Sequence, residues 1–96
     1  MYIKMHHSQD RCVVAVCDKE LIGKTLKDGN VNLVVSERFY KGDEESEEKI
    51  ISILKDADNI NLMGKKAVDA GLKARVIEKD NIKIIKGVPH AQAVTF

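Results

Sequence analysis

The sequence predicts an α+β fold: a single compact domain, residues 1–96, with an N-terminal β-hairpin. Its sheet is mixed or antiparallel, has four to six strands and carries two main helices. Ninety-six residues are too few for two separate hydrophobic cores. Segments with the two-residue period of strands lie near both ends of the chain, and segments with helical period lie between them. Strands that flank a helical pair are typical of α+β proteins rather than of a regular βαβ alternation.

The first 17 residues are predicted to form the β-hairpin. Residues 2–7 and 11–17 are rich in strand formers, and Ser8-Gln9-Asp10 is the turn. A turn centred on Gln9 and Asp10 gives the cross-strand pairs His7–Cys12, Met5–Val14 and Ile3–Val16. One face of the hairpin then enters the core through Ile3, Met5, Val14 and Val16. The opposite face is half apolar, so we expect it to be partly covered as well.

The two cysteines are predicted to be reduced thiols. Cys12 and Cys17 are five residues apart on one strand and point to opposite faces, so they cannot bridge each other. No secretion signal and no apolar run of about 20 residues is present, so we expect a cytoplasmic protein that does not cross a membrane.

Short elements are predicted between the hairpin and the helices. Asp18 is expected to cap a turn over residues 19–22 that Gly23 ends. Residues 27–30 read as a turn and residues 31–35 as the third strand. Residues 36–40 are predicted to form one helical turn that places Phe39 inward.

Two longer helices are predicted from residue spacing. The first covers residues 44–57, with Asp43 as its N-cap, and has an apolar stripe formed by Ile50, Ile51, Leu54 and Ala57. The second covers residues 60–70, begins at an Asp58-Asn59 cap and stops at Gly71. Its buried stripe is predicted to consist of Ile60, Met63, Ala67 and Ala70. Residues 76–77, 82–85 and 91–96 then read as extended segments.

Charge is distributed unevenly although the formal net charge is +1. Residues 1–42 hold seven basic and five acidic side chains, residues 43–62 hold two and seven, and residues 63–96 hold seven and three. The C-terminal third is therefore a candidate surface for phosphate groups. The acidic segment is a candidate surface for a basic protein or for a second copy of the chain in a homodimer.

Three chemical motifs are set aside. Ile22-Gly23-Lys24-Thr25 resembles the end of a phosphate-binding loop, but that loop needs glycine at position 18, where the chain has aspartate. The histidines and cysteines lack the spacing of a zinc site, and nothing in the sequence brings a cysteine to His90 as a nucleophile. We therefore expect no metal and no cofactor.

The predicted helix start at Asn59-Ile60-Asn61-Leu62-Met63-Gly64-Lys65-Lys66 is the first candidate binding site, through Asn61, Gly64, Lys65 and Lys66. A helix N-terminus presents unpaired amides and suits an anion, to which Lys65 and Lys66 would add phosphate contacts. Gly64 lowers helix propensity, which close approach by a ligand or by a neighbouring element would explain. The alternative is helix packing at Gly64 with both lysines in solvent.

The second candidate region is Gly87-Val88-Pro89-His90-Ala91-Gln92. Pro89 is the only proline and sets an extended start to the last strand. His90 and Gln92 fall on the same strand face, and both can donate and accept hydrogen bonds. They either line a binding pocket or anchor the loop to the fold.

Three segments together resemble one protein family. Cys17-Asp18-x-Glu20-Leu21-Ile22-Gly23-Lys24, Asn61-Leu62-Met63-Gly64 and the segment from Gly87 to Gln92 are similar to the archaeal family known as domain of unknown function 424. The resemblance spans nearly the whole chain. It implies an archaeal cytoplasmic protein with a compact domain of α/β type, and it implies no activity or catalytic residue.

We expect binding rather than catalysis. The first hypothesis is a non-enzymatic protein that binds RNA or a ribosome-associated protein through the basic residues Lys65, Lys66, Lys73, Arg75, Lys79, Lys83 and Lys86. The second is a small enzyme or anion-binding protein that uses Asn61, Gly64 and Lys65 together with His90. A common site requires His90 to lie within about 10 Å of the Gly64 amide. A third possibility is a structural subunit whose partner completes any site.

Overall fold

A six-stranded mixed sheet is the central element of the computed structural model, which describes residues 1–94. The strands are Tyr2–Ser8 (β1), Arg11–Cys17 (β2), Thr25–Asp28 (β3), Val31–Val34 (β4), Asp43–Glu44 (β5), Asn59–Met63 (β6), Ile82–Ile85 (β7) and Val88–Val94 (β8). The helices are Glu37–Tyr40 (α1), Glu47–Lys55 (α2) and Lys65–Lys73 (α3). The sheet order is β5-β1-β2-β6-β8-β7, and β3 and β4 form a separate hairpin. The α+β prediction is confirmed.

The N-terminal hairpin has the predicted register, with His7 opposite Cys12 and Ile3 opposite Val16. Ile3, Val14 and Val16 are buried against the helices, as expected from the alternation of side chains in a strand. Met5 departs from the prediction, because 45% of it is exposed. Both thiols are free.

The segment after the hairpin contains one more strand than predicted. Residues 25–28 pair with β4 around a turn at residues 29–30, so the single predicted strand is half of a second hairpin. Ser36 caps α1 by accepting the Phe39 N–H at 3.3 Å. The buried aromatic side chain of α1 is Tyr40, at 4% exposure, while Phe39 is partly buried and stacks on His6.

Helix α2 begins later than predicted. Asp43 is not its N-cap, because residues 43–44 form β5 and pair with Tyr2 and Ile3 at the sheet edge. Ser46 is the N-cap and accepts the Lys49 N–H at 3.3 Å. Of the predicted apolar stripe, Ile50 and Leu54 are fully buried, and Ile51 and Ala57 are partly buried.

The second predicted helix is wrong over its first half, where residues 59–63 form the interior strand β6. Ile60 and Leu62 alternate with Asn59 and Asn61, which is the period of a strand. This strand pairs in parallel with β2 and antiparallel with β8, and those pairings outweigh the local helical spacing. Helix α3 therefore begins at Lys65 and continues through Gly71, the predicted stop.

The C-terminal segments form an antiparallel pair at the edge of the sheet. Residues 82–85 are a strand as predicted, whereas residues 76–77 are not, because Val76 N–H bonds to Gly71 and Ile77 packs in the core. The last predicted strand begins earlier, at Val88, and residues 95–96 of it lie outside the described part of the chain.

Both faces of the sheet are covered, but by different elements. Helices α2 and α3 pack on one face, which we call the helix face, through Ile50, Leu54, Ala67 and Ala70. Tyr40 of α1 and the β3–β4 hairpin cover Ala15, Cys17 and Met63 on the opposite face. Within residues 1–94, no helix has the length and apolar composition needed to cross a bilayer.

Replacing Gly71 by alanine tests the contact between α3 and β6. A methyl group at this position meets the Cδ1 atom of Leu62 and lies 3.1 Å from Ile77. The gain in helix propensity is about 1 kcal/mol, and overpacking costs about 1 to 3 kcal/mol. We expect Gly71→Ala to lower the free energy of unfolding, measured in urea. In a Leu62→Val background, the further loss caused by Gly71→Ala should be smaller. A more stable Gly71→Ala variant would contradict this packing.

Candidate functional site

The three segments that carry the family resemblance meet at one end of the sheet. Strands β2 and β6 run in parallel and end side by side at Cys17 and Met63. The residue that follows each of these strands donates a backbone hydrogen bond to a neighbouring strand. Asp18 N–H donates to the Met63 carbonyl at 3.0 Å, and Gly64 N–H donates to the Pro89 carbonyl at 2.9 Å. The segments are thus joined through their backbones.

The Asp18 side chain caps helix α3. Its two carboxylate oxygens accept the N–H groups of Lys66, at 3.0 Å, and Ala67, at 2.9 Å. Asp18 is only 3% exposed, so these bonds lie in a nearly dry environment. The prediction that this side chain caps the adjacent turn is wrong, because the turn at Lys19–Leu21 receives no side-chain bond from it. A negative group at a helix N-terminus is favourable, which explains the arrangement.

Position 64 requires glycine for two reasons: its backbone conformation and the close approach of the Asp18 side chain. Its φ of 108° and ψ of 165° lie in a region that is essentially restricted to glycine. A Cβ atom here would lie 2.6 Å from the Asp18 Oδ2 atom and 2.8 Å from its Cβ atom. The element that approaches Gly64 closely is therefore the Asp18 side chain.

The helix start differs from the predicted anion site in two ways. Asn61 lies on β6, two residues before the strand ends, so it is not part of the helix. The Lys66 and Ala67 amides already donate to Asp18, whose carboxylate takes the place that the prediction assigned to an external anion. Lys65 and Lys66 lie at the start of α3 with exposed side chains.

Pro89 lies in an interior strand, where proline normally removes a ladder hydrogen bond. Its carbonyl accepts from Gly64, and its missing N–H would face the Gly64 carbonyl. That carbonyl instead accepts the Val68 N–H at 2.9 Å as part of the first turn of α3. Proline at this position therefore leaves no acceptor unpaired.

Four polar side chains lie on adjacent strands of the sheet face opposite the helices, and we call them the polar face: Asn61, Lys83, His90 and Gln92. Asn61 pairs with Gln92 across β6 and β8, and Lys83 pairs with His90 across β7 and β8. His90 is also opposite Met63, next to the bond between Gly64 and Pro89. The structure thus brings together Asn61, His90 and Gln92, and it places His90 beside Gly64.

Partly buried hydrogen bonds orient two members of the polar face. The Tyr40 hydroxyl donates to Asn61 Oδ1 at 2.5 Å, which leaves the Asn61 amide hydrogens for another acceptor. His90 Nδ1–H donates to the Leu62 carbonyl at 2.9 Å, so Nε2 holds the lone pair of the neutral ring. Burial and the neighbouring Lys83 lower the pKa of His90 against the opposing effect of the Leu62 bond.

The buried thiol has none of the features of a nucleophile. Burial, with smaller contributions from Asp18 and Glu20, raises the pKa of Cys17 to about 12. It is therefore a thiol near neutral pH, and it donates to the Asp18 carbonyl at 3.2 Å. In the described part of the chain, no three histidine, cysteine or acidic side chains are grouped as a metal site.

Four exposed lysines lie around the end of the sheet at which β6 ends and β8 begins, and we call them the lysine cluster: Lys65, Lys66, Lys83 and Lys86. None of them forms an ion pair among residues 1–94. Lys73 belongs to the predicted basic set but bonds to Glu47 at 2.9 Å and to Asp69 at 3.2 Å. Arg75 and Lys79 of the predicted basic set also form no ion pair within this range, but they lie outside the cluster, after α3 and before β7. The Asp28 carboxylate lies beside the cluster, where it accepts the Lys86 backbone N–H at 2.8 Å.

Sequence reasoning missed the roles of Asp18 and Tyr40. Asp18 lies within one of the resemblance segments, but its partners are 48 and 49 residues away. In the short helical turn at residues 36–40 the sequence predicts an inward Phe39 and assigns no role to Tyr40, which is the more deeply buried of the two. Neither role has a local signal, because each depends on a contact made by the folded sheet.

Comparison with known proteins gives the family of the chain and a similar solved structure. A family model described as "Protein of unknown function (DUF424)" matches residues 6–96. The chain is also similar to the crystal structure of an uncharacterized conserved protein from Methanopyrus kandleri, with 28% identity and a TM-score of 0.80. That match covers 99% of this chain and 92% of the other. No curated protein matches the sequence significantly.

Replacing Asp18 by alanine should lower the free energy of unfolding by about 2 kcal/mol or more, because the cap is lost and the buried Ala67 N–H is left unpaired. Urea unfolding measures this, with exposed Asp80→Ala as a control of equal charge change.

Gly64→Ala should lower the free energy of unfolding less in the Asp18→Ala background than in the unmodified protein, because the carboxylate that the new methyl group would meet is gone. Equal costs in both backgrounds would contradict the contact.

The lowered pKa of His90 predicts a pH-dependent stability. As pH falls below the unfolded value near 6.5, the unfolded chain binds the proton first, and stability falls until pH passes the folded pKa. His90→Asn keeps an N–H donor but does not titrate. We expect the stability difference between the two proteins to change between pH 7.5 and 5 in urea unfolding. A constant difference would show that the folded pKa is not lowered.

Proposed function

Because the chain belongs to the DUF424 family, whose description names no activity, we propose a function from its geometry: a non-enzymatic, cytoplasmic RNA-binding protein. The observation that carries the proposal is the lysine cluster, whose four ammonium groups have no carboxylate partner among residues 1–94. Unpaired lysines on a surface attract phosphates and release counterions from the nucleic acid. The free thiols of Cys12 and Cys17 agree with a reducing compartment.

The polar face supports RNA as the ligand in preference to a simple anion. Asn61 and Gln92 have amide groups that can bond to the edges of bases, and the His90 ring can stack on a base. These side chains lie on neighbouring strands and join the lysine cluster through Lys83. A single-stranded RNA that crosses β6, β8 and β7 would thus meet base contacts and phosphate contacts together.

Binding is also favoured over catalysis by the groups that are committed to the fold. Both Asp18 oxygens accept helix amides, and the Cys17 thiol is protonated near neutral pH. His90 is the remaining candidate for proton transfer, and its neighbours Asn61 and Gln92 are amides that do not titrate. The site therefore offers hydrogen bonds and positive charge but no acid–base pair.

Neutralising Lys65 and Lys66 should weaken RNA binding. We expect the double variant Lys65→Gln/Lys66→Gln to bind a 20-nucleotide single-stranded RNA about tenfold more weakly at 50 mM salt. The slope of log affinity against log salt should decrease by about 1 to 1.5, since two phosphate contacts are lost. Fluorescence anisotropy over a salt series measures both quantities.

The control is Lys49→Gln/Lys55→Gln, which removes the same charge from α2. Its affinity and salt slope should be close to those of the unmodified protein. Equal losses in the two variants would mean that only net charge matters. An unchanged affinity in the Lys65 and Lys66 variant would remove the lysine cluster as the RNA contact.

A further inference from the structure

An open apolar trough runs between α2 and β1, from the turn of the β1–β2 hairpin toward the start of β1, and its part near the turn lies at the end of the molecule opposite the lysine cluster. It consists of two cavities of about 380 and 480 Å³ that share Met5 and Ile53. Its apolar lining also includes Cys12, Val14 and Ala57. We call it the Met5 trough.

The trough exists because α2 is shorter than the strands it covers. The helix ends at Lys55, and the outer half of the hairpin extends past it. Met5 points to the helix face, like Ile3 and Val14, yet 45% of it is exposed while those two are buried. Methionine is flexible and adapts its shape to a partner, which suits such a position.

The same segment of β1 is an unpaired sheet edge. Strand β5 pairs only with Tyr2 and Ile3. In a hairpin with the two-residue turn Gln9-Asp10, Ser8 and Arg11 form a bonded pair and the bonded pairs then alternate. The N–H and C=O groups of Met5 and His7 therefore point away from β2, and they bond to no backbone group of residues 1–94. This edge can receive another strand.

The charges around the trough are mainly acidic. At the end near the hairpin turn the charged lining consists of three aspartates, Asp10, Asp56 and Asp58. At the other end Lys49 pairs with Glu45 at 3.2 Å, and Lys4 donates to the Arg38 carbonyl at 2.5 Å. The neighbouring Arg11 does not compensate for the aspartates, because it lies on the strand face opposite to Cys12.

We propose that the Met5 trough binds an extended segment of a partner protein that adds to the edge of β1. The segment carries apolar side chains over Met5 and Ile53, and lysine or arginine on the same face near Asp10, Asp56 and Asp58. Strand addition supplies main-chain bonds at Met5 and His7, and the trough supplies specificity. Nucleic acid is a poor fit, because its phosphates would meet the aspartates.

A second copy of the chain is also a poor fit. The edge strand of the six-stranded sheet that a second copy could offer is β7, which has an exposed apolar residue, Ile84, and a basic residue, Lys83. These two side chains project from opposite faces of the strand. The apolar side chain on the same face as Lys83 is Ile85, which packs in the molecule's own core, so β7 cannot bring a free apolar side chain to the trough together with that lysine. The occupant is therefore a different protein.

The probe is the acetylated peptide Val-Thr-Ile-Thr-Lys-Thr-Lys-Thr, whose apolar and basic residues share one face of a strand. Titration into the ¹⁵N-labelled protein should give saturable shifts of the Met5, His7 and Ile53 amides. A peptide with glutamate in place of both lysines should not bind. Asp56→Asn/Asp58→Asn should weaken binding about fivefold, as expected for two exposed charge contacts.

Met5→Lys tests the edge directly, since a lysine on an edge strand blocks strand addition, and it should weaken binding on the order of tenfold. Val34→Lys, at another exposed apolar position, on β4, should leave affinity unchanged. Equal binding of the glutamate peptide, or shifts confined to other residues, would overturn the proposal. So would self-association of the unmodified protein that Met5→Lys abolishes, because the occupant would then be a second copy.

Discussion

The Asp18 carboxylate holds the N-terminus of α3 against the ends of β2 and β6, and the remaining structure at this end depends on that bond. The residue follows β2, its N–H bonds to Met63, and its side chain bonds to two helix amides. Because this site is buried, leaving the carboxylate or one of the amides without a hydrogen-bond partner would lower the stability of the fold. Gly64 must then lack a side chain, because the carboxylate fills the space that a Cβ atom would take.

This constraint extends to the strand beside it. The Gly64 carbonyl belongs to the first turn of α3, so the opposing residue of β8 needs no N–H and can be proline. His90, the next residue, is fixed on the polar face by its bond to the Leu62 carbonyl. The buried Asp18 carboxylate therefore helps to position His90, one of the candidate RNA contacts, through Gly64 and Pro89.

The molecule has two chemically different ends because β2 and β6 are parallel. Their carboxyl ends lie beside the lysine cluster, and their amino ends lie beside the Met5 trough with its aspartates. The near-zero net charge therefore conceals two surfaces of opposite sign. The proposed RNA surface and the aspartates of the proposed peptide site are therefore on different parts of the molecule.

The family resemblance, the α+β class, the N-terminal hairpin with its register and the uneven charge could all be read from the sequence. The hairpin register, for example, depends on a local pattern, the alternation of side chains from Ile3 to Val16 around one turn. The role of Asp18, the strand at residues 59–63 and the open position of Met5 were decided by tertiary structure. Residues 59–63 satisfy helical and strand spacing alike, and pairing with β2 and β8 selects the strand. Asp18 and Met5 take their roles from α3 and α2, whose positions relative to the sheet no local pattern specifies.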